Sequence, residues 1–252
     1  MEDINVSYLY EELNGKTVYA FGDSIIYGHD APDQSFMRLI ADDYNMNLIM
    51  LAKNGATVVT TDSYSKESIE EETTDNYIIN QIKGAPSETP DMIVFDGYTN
   101  DAYGDKATDT FNSNGAHINI WEHLGVIQGI GATSFDTSTF CGGFEKIICE
   151  MRKKWGDVPI VFIIIHKSGG RDWNTQCKLR ELSLEICSKW NVDVADIFSN
   201  TSLDTRNQMH MSKYIINGAG SHPNVSACRE FYLPVVSKKL NEVLSRAVYT
   251  CR

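Results

Sequence analysis

The chain has 252 residues, 42% of them hydrophobic, which is enough to bury one sizeable core and suits one domain better than two. Its 34 acidic and 22 basic residues leave a net charge of -12, which repels nucleic-acid phosphates and anionic lipid surfaces and argues against both as partners. The acidic N-terminus lacks the apolar stretch of a signal peptide, and the longest apolar run, Val158 to Ile165, is strand-sized rather than membrane-spanning, so the chain as given reads as cytoplasmic and as secreted only if a leader was removed.

The first apolar run, Thr17–Phe21, is continuous rather than alternating, as expected of a strand covered on both faces. It leads into Gly22-Asp23-Ser24-Ile25-Ile26-Tyr27-Gly28. A serine just past a strand and ahead of a helical turn stands at the sheet's carboxyl edge, where a neighbouring base can make it a nucleophile. Taken alone, Gly-Asp-Ser is equally an ordinary turn with a helix cap. Phe36–Tyr44 then sets Phe36, Leu39, Ile40 and Tyr44 on one helical stripe.

The second run, Asn47–Ala52, passes into Lys53-Asn54-Gly55-Ala56, a turn able to present the Gly55 amide at the same edge. The third, Met92–Phe95, runs into Asp96-Gly97-Tyr98-Thr99-Asn100-Asp101, where the Asn100 side chain can either cap a turn or donate to a developing oxyanion. From Ala102 to Phe140 the chain is rich in Gly, Asp, Asn, Ser and Thr and too long for a simple connection. We read it as an insertion at about 102–140, emerging near the active-site face as a lid or, equally, as a packing excursion.

Phe144–Trp155 follows as a helix, Ile160–Ile165 as a strand ending at His166, Thr175–Trp190 as a helix, Val192–Ile197 as a strand, and Val225–Val248 as a closing helix. This alternation predicts an α/β fold, a three-layer α/β/α sandwich around a five-stranded, mostly parallel sheet of flavodoxin-like type. Ligands of such sheets bind at the carboxyl ends of the strands. Just before the last helix, Gly218-Ala219-Gly220-Ser221-His222-Pro223-Asn224 holds His222 at a loop-to-helix junction, restrained by proline. Of the other histidines, His166 at the end of strand four is the serious rival. His29 is expected in a loop, and His117 and His123 fall in the insertion, where they can touch substrate.

Each of these blocks is weak in isolation. Together, Gly22-Asp23-Ser24, Gly55, Asn100-Asp101 and His222-Pro223-Asn224 occur in the order of the four blocks of the SGNH (GDSL-like) hydrolases, and the sequence resembles that superfamily of esterases, lipases, carbohydrate deacetylases and acyltransferases over nearly all of its length. The resemblance implies Ser24 as nucleophile, His222 as its base, and an oxyanion hole formed by the Ser24 and Gly55 amides with the Asn100 side chain. The substrate it implies is a small-molecule or carbohydrate ester.

Two departures stand out. The family usually has Gly two residues before the Asn, where this chain has Tyr98, and Asp three residues before the His, where it has Ala219. The Asp normally holds the imidazole in place, so Asn217, a backbone carbonyl or a distant carboxylate must replace it, or the site is a Ser-His dyad. Asp23 and Asp101 are expected to support the site as hydrogen-bonded scaffold. Tyr98, Trp121 and His166 are expected near substrate.

The six cysteines form no C-x-x-C pair, and neither H-E-x-x-H nor a phosphate-binding glycine loop occurs, so reduced thiols, no metal and no cofactor are expected. A carbohydrate deacetylase or acyltransferase is the alternative within catalysis. A binding protein that has lost turnover is the alternative outside it, motivated by Ala219.

Overall fold

The five apolar runs become β1 (Thr17–Phe21), β2 (Asn47–Met50), β3 (Met92–Phe95), β4 (Ile160–Ile164) and β5 (Asp193–Asp196), within one or two residues of the expected bounds. The structure is a computed structural model that describes residues 10–60, 76–102 and 119–250. All five strands are parallel, in the order β2-β1-β3-β4-β5. The three central strands are buried almost throughout, which is why their sequences run apolar without alternation. The edge strands β2 and β5 are only partly buried and carry Asn47, Asp193 and Asp196.

The order reverses between β1 and β3, which opens a crevice at their carboxyl ends. The loops after β1, β2 and β3 converge there. Helices α2 (Phe36–Asp43) and α9 (Leu233–Thr250) pack together on one face. Helices α3 (Ile78–Gly84), α4 (Phe140–Trp155) and α5 (Trp173–Lys189) line the other.

Three local departures have physical causes. Helix α4 starts at Phe140, four residues before the apolar stripe, because Thr139 caps it through the Gly142 N–H. Gly142 and Gly143 hide this start from the sequence pattern, but they are needed: a Cβ would lie 2.1 Å from the Asp136 oxygen at one and 2.6 Å from the Val58 oxygen at the other. The closing helix is not continuous. Val225–Ala227 is α-helical, Cys228–Tyr232 is a π turn, and α9 follows with Pro234 in its first turn. Proline has no N–H and crowds the carbonyl four residues back, and a π turn accommodates both. Helix α3, finally, was not anticipated.

The insertion divides. Its residues 103–118, including His117, lie outside the described residues. In the remainder, Gln128 and Gly129 donate their N–H groups to the buried Glu145 carboxylate on α4, and Ile130 shares a cavity with Pro159, Ile160 and Asp193 at the opposite, amino-terminal edge of the sheet. Glu145 also accepts from the Trp190 indole, so one buried carboxylate ties this segment to two helices. Residues 128–130 thus pack away from the crevice, whereas Trp121 bonds Thr175 at the start of α5 and Thr137 bonds Thr60 in the loop after β2. No described helix is long and apolar enough to cross a membrane.

Candidate active site

The nucleophile turn is built around two buried carboxylates. Gly22 follows β1 at φ 133, and both its N–H and its carbonyl are bonded, at 2.8 Å each, by the Gln81 side chain of α3. Asp23 caps the short helix α1 (Ser24–Tyr27) by accepting the Ile25 N–H. Asp96, one residue past β3, accepts the Asp23 N–H at 2.7 Å and the Ile26 N–H at 3.1 Å. Both carboxyl groups are fully buried. Burial raises both above the usual carboxylate range, Asp96 the more because the Asp23 charge adds to it.

Ser24 opens α1 and is 4% exposed. Its Oγ lies 2.8 Å from Nε2 of His222, 198 positions away in the chain. With the hydroxyl as donor, Nε2 accepts and the ring proton sits on Nδ1. The histidine loop is pinned at both ends. The His222 carbonyl accepts the Ile216 N–H, Ile215 bridges Pro223, and Asn224 accepts the Ala227 N–H while donating to the Lys213 carbonyl. Burial, then His29, then Arg171 push the His222 imidazole down to about 4, and Asp30 opposes them.

The oxyanion candidates stand across the crevice. Asn100 is 7% exposed and donates one amide hydrogen to the Ala56 carbonyl at 2.9 Å, which leaves the geometry of a second donor set by the first. Gly55 adopts φ 74, a left-handed conformation natural to glycine. Asp101 accepts the N–H groups of Val58 and Val59 at 3.1 Å each, tying the loop after β3 to the loop after β2. Burial outweighs those two bonds and carries its carboxyl up to about 7. Arg171 donates Nε to the Thr99 carbonyl, bracing the residue before Asn100.

Two expectations are corrected. Tyr98 is 1% exposed, at φ 136, with its ring against Phe162, so it is a core residue in a backbone conformation that favours glycine. His166 is fully buried, bonds the Tyr232 hydroxyl at 2.7 Å through Nδ1, and is driven by burial down to about 3. Neither presents surface to a substrate. Trp121 is 42% exposed, its indole N–H bonded to Thr175 at the start of α5. Asn217 sits exposed in a left-handed turn at φ 58.

Asp96, Gln81 and Arg171 escaped the sequence reading, and His29 entered it only as a loop residue. Asp96 left a trace: an acid one residue past an apolar strand, like Asp23 two residues past its own. Among the described residues, no three His, Cys, Asp or Glu side chains group as metal ligands.

With the site in view, the relatives can be compared. Residues 20–227 match the GDSL-like Lipase/Acylhydrolase family. The fold is similar to a solved protein from Lactobacillus plantarum, at 17% identity and TM-score 0.65, over 92% of this chain and 98% of that one. It is similar to a member of the lipolytic protein G-D-S-L family from Veillonella parvula, at 17% identity and TM-score 0.53, over 91% and 98%. It is also similar to a lipase/acylhydrolase from Enterococcus faecalis, at 14% and 0.53, over 90% and 96%. No curated protein sequence matches. The fold and site define a serine-type hydrolase of ester bonds, and the chain belongs to the GDSL-like lipase/acylhydrolase family.

Proposed function

We propose that the protein is a serine esterase that hydrolyses carboxylic esters of short acyl groups through an acyl-enzyme. The observation that carries this reading is the 2.8 Å contact between the Ser24 hydroxyl and the His222 Nε2. Nε2 takes the hydroxyl proton as Oγ attacks the ester carbonyl. The oxyanion is held by the Ser24 and Gly55 amides and the second amide hydrogen of Asn100. His222 returns the proton to the leaving alcohol, and water then releases the acid by the same steps. Short acyl groups suit a serine that is 4% exposed in a recess lined by Gly28, His29 and Gln34. A second reading, deacetylation of an acetylated sugar, draws on the exposed face of Trp121.

The test is labelling with a serine-directed organophosphate, with the adduct located by peptide mass spectrometry, alongside release of nitrophenol from its acetate. A single adduct on Ser24 with loss of turnover is expected. An unlabelled protein that releases no nitrophenol would instead be a binding protein on this scaffold.

Two further results are expected. Asn100→Ala should lower kcat by about 10²–10³, the usual effect of losing one oxyanion donor, with KM changed little. The acid limb of kcat/KM should lie near pH 4, because a base held down to about 4 stays neutral well below the 6.5 of an ordinary imidazole. Rates are best read immediately after a pH jump. The neutral His166, at about 3 when folded, contributes stability that is complete above about 6.5 and lost as pH falls toward 3. Asp101, raised to about 7, works in the opposite sense: its contribution is complete below about 4 and lost as pH rises through 7.

A further inference from the structure

Position 219, where the family usually places the acid that orients the histidine ring, holds Ala219, and among the described residues the structure shows what lies against the His222 ring. His29 packs on it, with centroids 4.4 Å apart and planes inclined by 38°. The other edge of His29 faces a carboxylate, with Nε2 at 3.4 Å from Asp30 Oδ1. His29 does not reach this position by chance of a long loop. Its backbone N–H donates to the Ser24 carbonyl at 3.0 Å, as does that of Gly28, and Ala31 closes the turn onto Gly28. Gly28 and Asp30 both adopt left-handed conformations, at φ 86 and φ 63, which turn the chain back over the nucleophile. The turn that carries Ser24 therefore also carries His29, and Ser24, His29 and His222 line one recess.

Building on the esterase reading, we propose that His29 and Asp30 together replace the missing acid. The His29 ring, packed on His222, holds its orientation, and the Asp30 carboxylate beyond it supplies the negative charge that favours the imidazolium. His29 is a positioning residue, since it touches the base and not the reacting atoms. The groups facing His222 act with opposite signs. Asp30 stabilises its protonated form, whereas His29 and Arg171, from the loop after β4, oppose it. His166, at the end of β4, is buried and neutral and contributes no charge. Because the His29 and Asp30 side chains are 38% and 51% exposed, solvent screens the coupling, and its effects are modest.

The test uses three variants of the full chain. His29→Phe keeps an aromatic face and removes the charge. Asp30→Asn keeps the shape and tolerates φ 63. His29→Ala removes the packing. The His222 ring titration is followed by NMR without substrate, and the acid limb of kcat/KM is followed in parallel. His29→Phe should move both midpoints to higher pH, and Asp30→Asn should move both to lower pH, each by about half a unit. His29→Ala should lower kcat about tenfold, a fraction of the 10²–10⁴ associated with general-base catalysis, with KM within about twofold, and His29→Phe should restore most of it. The opposite shifts report the charges beside the ring, and the loss of kcat in His29→Ala with its recovery in His29→Phe reports the packing. Any result in which the two charge variants fail to move the midpoints in opposite directions overturns the proposal. A protein without ester turnover would refute the esterase reading, while the ring titration would still decide this one.

Discussion

Ser24→Ala is expected to reduce hydrolysis of nitrophenyl acetate by roughly 10⁶-fold, the order of loss when a serine hydrolase is deprived of its nucleophile. His222→Ala should fall about as far, and the double variant no further, because hydroxyl and imidazole act as one unit and each is idle without the other. Activity above the rate in water should survive in both, supplied by the oxyanion donors and by binding. The fold should hardly notice. Ser24 Oγ makes its hydrogen bond to His222 alone, and a bond of that kind contributes about 1 kcal/mol. Initial rates and a thermal melt on the same preparation separate the two effects. A Ser24→Ala variant that kept a tenth of the activity would show that the chemistry lies elsewhere.

Gly22→Ala is expected to be severely damaging, although it removes no side chain at all. A Cβ at Gly22 would lie 1.8 Å from Asp96 Oδ1 and 2.9 Å from its Cγ, with the backbone at φ +133. The methyl group and the carboxylate cannot both be present. If Asp96 moves, the N–H groups of Asp23 and Ile26 lose their acceptor inside the core, at about 1–3 kcal/mol each, and the strained φ adds about 1–3 more. A loss of about 3–9 kcal/mol is a large share of the 5–15 kcal/mol, roughly, that holds a domain together. Whatever folds should also have a displaced Ser24, because those two N–H groups flank it. Gly156→Ala is the control. It sits at φ +67 and ψ -136 with nothing within 4 Å of a Cβ, so it isolates the conformational penalty, about 1–3 kcal/mol. Urea unfolding compares the two. Equal losses would mean that Asp96 is free to swing aside and does not anchor the turn.

Much of this protein could be read from its residues in order. The continuous apolar runs of the central strands specified a buried parallel sheet, because only a strand covered on both faces has no use for alternation. The residues at their ends marked the site, since a parallel sheet delivers every strand's carboxyl end to one edge. Ser24, Asn100 and His222 were legible for that reason, as was the absence of an acid at position 219.

What stayed hidden depends on distance through space. The start of α4 was masked by Gly142 and Gly143, whose purpose is to let the Asp136 and Val58 carbonyls come close. Gln128 and Gly129 of the insertion pack away from the crevice because a buried acid on α4, Glu145, gathers their N–H groups. Tyr98 and His166 looked available to substrate because they follow strands, but burial against Phe162 and Tyr232 takes them out of reach.

The sequence alone determined the sheet and the family and pointed to Ser24 and His222, because periodicity and strand-end chemistry are local properties. Only the tertiary structure decided what holds that pair in place: Asp96 behind Gly22, Gln81 across from α3, and His29 folded back onto His222. These contacts join residues whose separation along the chain carries no period, and a buried carboxylate or a stacked ring becomes visible only when the elements bearing it are packed.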